Sequence, residues 1–205
     1  MNVAFGLKAH SGWAALVVLG TSPCSLEVVD RRRVELVEQQ DASWAKQPYH
    51  AAEHLSAGDA RRMVERGLDA ARRHAVRQIS DALDRAAHLG HDVSGCAVLM
   101  GAPMPEWTVD EILAVHVRMH KAEGVMFRDA LARAATECGQ HLVAIPEKQL
   151  HDHASRALAA TPHTLTKSIE TLGKLVGPPW GKDQKDATLA AMIALADPKG
   201  SQRQV

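Results

Sequence analysis

At 205 residues the chain is sized for one substantial domain, and its 46% hydrophobic content is enough to furnish a core. Its 24 basic residues balance 24 acidic ones, which excludes the strong electrostatic footprint of an obligate nucleic-acid binder. No apolar run approaches the ~20 residues needed to span a bilayer.

The N-terminus carries no basic-plus-apolar leader, so a cytoplasmic protein with no membrane partner is expected. Cys24, Cys96 and Cys138 show no CxxC spacing and are expected as buried free thiols. Local basic clusters at Arg31-Arg32-Arg33, Arg61-Arg62 and Arg72-Arg73 suit either a solvated face or a phosphate.

Residues 3–9 and 13–19 read as two strands joined by a tight turn at His10-Ser11-Gly12, where Gly12 can take positive φ. The valine-rich stretch 26–37 is a third strand, and its arginine triplet marks it as an edge strand. Residues 39–57 are polar and irregular. From Asp59 to about Leu89, Val64, Leu68, Ala71, Ala75, Ile79, Leu83 and Ala86 recur at helical spacing, and Gly90 ends the helix.

The continuous apolar run 93–102 is expected as a central strand covered on both faces. Residues 109–138 are helical, in two pieces divided near Gly124, and 141–145 form another buried strand. The remainder is helical apart from the loop 177–181, with a last helix from Asp183 to Leu195. Residues 1–197 are expected as a single domain and 198–205 as a flexible polar tail.

The order β-β-β-α-β-α-β-α places three antiparallel strands before two that need crossover helices and therefore run parallel to the first. The fold class is α/β: one mixed five-stranded sheet with helices on both faces.

That order resembles the ribonuclease H-like superfamily, and two segments sharpen the resemblance. "GLKAHSGWAAL" is similar to the first hairpin of RuvC-type Holliday-junction resolvases, and "DQKDATLAAMIALA" is similar to their last helix. The resemblance implies carboxylates from the first strand, the fourth strand and the last helix that hold two divalent metals. Matched residue by residue, the last-helix pair falls on Asp183 and Asp186, but the first-strand acid falls on Lys8. The fourth strand ends in Met100 and Gly101, which supply no carboxylate, and Glu106 lies beyond two prolines. A standard two-metal nuclease is not expected.

Lys8 admits two readings. It pairs with Asp186 as a structural ion pair, or it holds a phosphate or carboxylate of a ligand together with His10 and Ser11. Asp183, just after a Pro/Gly loop, suits a helix cap, and Asp186 is the better site candidate. In "HVRMHKAEG", His116, His120 and Glu123 fall within about 60° of arc on a helix, a plausible metal triad. In "PYHAAEH", His50 and Glu53 could act as base and orienter, or simply form a local turn. Trp44, Trp107 and Trp180 sit beside loop Pro or Gly, placed to stack bases or cover a core edge.

These residues point first to a ribonuclease H-like module with a degenerate metal site. It would bind nucleic acid or another phosphate-containing ligand, with no cofactor required. The alternative is a metal-dependent hydrolase or nuclease using His116, His120, Glu123 and Asp186. A structural subunit without chemistry is the third reading, and self-association is left open.

Overall fold

The computed structural model describes residues 1–22 and 25–197, so the expected tail at 198–205 and Cys24 lie outside the described residues. Strands β1 (Asn2–His10), β2 (Trp13–Ser22) and β3 (Ser25–Glu35) form an antiparallel meander. After the 32-residue helix α3 (Ala57–His88), β4 (Asp92–Met100) returns parallel to β1, and β5 (Leu142–Pro146) adds parallel to β4. The sheet order β3-β2-β1-β4-β5 puts β1 at the centre and β3 on an edge, as the chain order requires.

The period of two along β1 sorts its side chains between two cores. Val3, Phe5, Leu7 and Ala9 join Ile79 of α3 with Phe127 and Leu131 of α5 (His116–Glu137). Ala4 belongs to the opposite core, with Leu150 of α6 (Leu150–Ala157), Ile169 of α7 (Pro162–Val176) and Leu189 of α8 (Lys182–Ala196). Helices therefore cover both faces. Because Lys8 shares the parity of Ala4 and Gly6, it points at α8.

Helix α8 is buried continuously from Asp186 to Ala194, as expected of a helix apolar around most of its circumference. It lies almost on the strand backbone: a Cβ at Gly6 would meet the Ala187 carbonyl oxygen at 1.8 Å. Only glycine allows that approach.

Two sequence expectations require correction. Residues 39–57 are not irregular, because they hold the short helices α1 (Ala42–Ala45) and α2 (Pro48–Ala52), the latter opened by proline at its first position. The helical stretch 109–138 is divided at Ala114-Val115 rather than near Gly124. Thr108 and Glu111 form a capping box on α4 (Val109–Leu113), and Val115, at φ −141° and ψ 111°, then breaks the run before α5.

Of the cysteines described, both free, Cys96 is buried and its thiol is pushed up to about 12 by that burial. Cys138 is only partly buried. No helix among the described residues is long and apolar enough to cross a membrane.

Candidate functional site

The carboxyl ends of the parallel strands, where open α/β sheets collect their ligands, converge on Lys8. Its ammonium donates to Asp186 Oδ2 at 2.6 Å and lies 3.2 Å from Glu147 Oε1 and 3.3 Å from Asp183 Oδ1. Each carboxylate comes from a different place. Asp183 and Asp186 project from the first turns of α8, and Glu147 opens the 3-10 turn that follows β5. Lys182 caps the arrangement from outside, donating to Asp186 at 2.5 Å, and Arg128 of α5 holds Glu147 at 2.8 Å.

Lys8 and Asp186 are buried, at 5% and 7% exposure. Burial by itself pulls the Lys8 ammonium down, but the Asp186 hydrogen bond and the charges of Asp186 and Glu147 outweigh it, and the net shift is upward. For Asp186 burial pulls upward, but the bonds from Lys182 and Lys8 hold the carboxyl below its usual range. Both groups are thus charged across neutral pH.

Asp183 does not cap α8. Gly181 is the N-cap residue, and its N–H is satisfied by the Gln184 side chain at 3.0 Å, which leaves the Asp183 carboxylate free to face Lys8 and His10. His10 stacks on Trp13 at 4.3 Å and places Nε2 3.1 Å from Asp183 Oδ1. Ser11 donates to the Lys46 carbonyl at 3.2 Å.

Beyond Lys8 a cleft of ≈ 700 Å³ opens between the ends of β4 and β5, rimmed by Arg128, Lys148 and Lys182. Next to it a smaller cavity of ≈ 260 Å³ is lined by His10, Ser11, Gln47, His120, Glu123 and Arg128, so two of the three histidine-bearing regions flagged in the sequence share one surface.

Around the second cavity α2 packs on α5. Glu123, buried at 8% exposure, accepts from the backbone N–H groups of Tyr49 and His50, both at 3.1 Å, and its other oxygen lies 2.7 Å from His50 Nδ1. The carboxylate beside His50 is therefore Glu123. Glu53 lies 3.8 Å from His116 Nδ1. Asp186 belongs to the Lys8 cluster and the three histidines His50, His116 and His120 to another.

The three tryptophans flagged in the sequence are covered by cations, and Trp44 lies in α1 rather than in a loop. Arg66 lies over Trp44, Arg118 over Trp107 and Arg31 over Trp180. Of the arginine triplet, Arg31 clasps the carbonyls of Val176, Gly177, Pro178 and Pro179, Arg32 pairs with Asp30, and Arg33 pairs with Glu35.

Glu147, Lys182 and Arg128 were not anticipated from the sequence. The available signal was position: Glu147 directly follows the strand "LVAIP", at the carboxyl edge where such sheets deliver site residues.

The sheet order and its covering helices match the fold of RuvC, a ribonuclease H-like α/β fold. No protein-family model and no curated protein matches the chain. Among solved structures it is similar to RuvC of T. thermophilus in complex with a Holliday junction substrate, at 12% identity and a TM-score of 0.50, covering 98% of this chain and 97% of that one. A second Thermus thermophilus RuvC structure is matched at 13% identity and a TM-score of 0.48, over 95% of this chain and 94% of that one.

Proposed function

We propose that this chain is a RuvC-like module that binds nucleic acid through its phosphates without cleaving it. The observation that carries this reading is the Lys8 ammonium standing within 3.3 Å of three carboxylates at the end of the central strand. A two-metal centre needs those oxygens for hard cations. Here a fixed positive charge already occupies them, and it would repel an incoming ion by several kcal/mol at such distances. The residues present do not fit a resident magnesium or manganese pair, and no hydrolytic step is assigned to this cleft.

Binding is supported by the surroundings. Arg128, Lys148 and Lys182 ring an open cleft at the carboxyl edge of the sheet, and cationic side chains of this kind are what phosphate oxygens recognise. The RuvC of similar fold was solved with a Holliday junction, which makes branched DNA the first probe for this chain.

The test is fluorescence anisotropy with a labelled four-way junction, paired with a gel assay for cleavage. The junction should bind equally with magnesium or with chelator, no products should form with Mg²⁺ or Mn²⁺, and Lys148→Ala with Lys182→Ala should weaken binding at least about tenfold. In Lys8→Asp, Mn²⁺ should raise the melting temperature where it leaves wild type unchanged. Chelator-sensitive cleavage by wild type, or binding indifferent to the two lysines, overturns the proposal.

A further inference from the structure

We propose that His50, His116 and His120 form a three-histidine site for a zinc-class divalent cation, with a fourth coordination position left for water or an anionic ligand oxygen. The site is separate from the Lys8 cluster and does not depend on the reading given to it.

One ring nitrogen from each histidine lies within 4.8 Å of the others, and the three ring centroids are 4.6–5.1 Å apart. The Nε2 atoms of His116 and His120 are 3.1 Å apart. Two imidazole nitrogens bound to one tetrahedral zinc at about 2.0–2.1 Å must themselves be separated by about 3.3–3.4 Å. The observed pair is already close to that spacing, as expected from one helical turn between i and i+4.

His50 comes from a different element, and its orientation is specifically enforced. Glu123 is an acceptor only, so the proton of His50 is assigned to Nδ1, facing the carboxylate, and Nε2 carries the lone pair. Glu123 is in turn fixed by the N–H groups of Tyr49 and His50. A buried carboxylate that sets the tautomer of a histidine is the usual outer support of an imidazole metal ligand. Glu53, 3.8 Å from His116 Nδ1, adds a second acid on the outer side of the cluster.

The chemistry of the set selects the metal. Three neutral imidazoles favour borderline ions such as zinc, copper or nickel over magnesium and calcium, which require oxygens. Three protein ligands leave one position unfilled on zinc, the pattern of an open site. His116 and His120 are exposed, so an ion can enter from solvent. His120 and Glu123 also line the small cavity that holds His10, Ser11 and Arg128, so an anion could reach the metal from that side.

The experiment is calorimetric titration of the metal-stripped full chain with Zn²⁺, with Co²⁺ as a spectroscopic substitute. One ion per chain is expected, with the visible absorption of four-coordinate cobalt. His116→Ala with His120→Ala, both at exposed positions, should weaken zinc binding at least a hundredfold while the melting temperature without metal stays the same. Glu123→Gln should weaken it about 10–100-fold, judged against that variant's own metal-free melting temperature because Glu123 also anchors residues 49 and 50. Wild-type binding no tighter than that of the double variant overturns the site, as does stoichiometric binding that survives loss of both histidines.

Discussion

The Lys8–Asp186 contact joins strand and helix by a buried charge pair, and such pairs are costly to break from one side only. Lys8→Met should lose about 3 kcal/mol in urea denaturation, because Asp186 keeps only its outer partner Lys182. The double change Lys8→Met with Asp186→Leu should recover much of that loss, and additivity within about 0.5 kcal/mol in the cycle would contradict the coupling. The pH dependence follows from the two shifts. Asp186, held below 3.8, contributes stability above its unfolded value that is lost as pH falls through its folded one. Lys8, raised from 10.5, contributes below its unfolded value and loses that contribution as pH rises beyond it. Stability from the pair is therefore level across neutral pH and falls below about pH 4, with a shallower acid limb in Lys8→Met. An acid limb of equal depth in both proteins would exclude the pair as its cause.

At the scale of elements, α8 positions half of the site, and its placement rests on the absence of a side chain at Gly6. Gly6→Ala would put a methyl 1.8 Å from the Ala187 carbonyl oxygen and 2.9 Å from the Ala191 nitrogen. Neither backbone group can yield without moving the helix. The substitution should cost at least about 3 kcal/mol and weaken DNA binding even where the protein still folds; stability within about 0.5 kcal/mol of wild type would disprove the close approach. The long elements were legible in the sequence because their periodicity is sustained, as in α3, or their apolar run unbroken, as in β4. The short helices α1 and α2 were not, since helices of four or five residues have little stability of their own and form through tertiary packing. Their omission hid the fact that His50 faces Glu123.

For the whole molecule, strand order followed from connection lengths and the handedness of crossovers, so the sheet could be drawn from one sequence. The opposition of Lys8 and Asp186 followed from that drawing together with the resemblance of the two end segments. Glu147 could have been placed from its position just after β5, but Arg128 could not, because a helix residue's arrival at a cleft depends on how the helices pack and not on spacing along the chain. The overall charge is zero, with the cations of the cleft largely engaged by acids. Few are left for phosphates, so junction affinity should fall only gently with salt: a slope of log affinity on log salt near −2 to −3, for two or three neutralised phosphates. A slope steeper than about −6 would mean that another, more basic face carries the DNA.

On the function proposed above, the lysine at position 8 also changes what governs the state of the cleft. A metal centre is filled by mass action, so its occupancy follows the free ion concentration around the protein. An ammonium carried on the central strand is present in every molecule from synthesis onward, at unit stoichiometry, and no chelator removes it. It brings one positive charge where a pair of divalent ions would bring four. The ammonium thereby offsets the mutual repulsion of the three acids, and on the function proposed above the shape of the cleft should be the same in magnesium-starved and magnesium-replete surroundings.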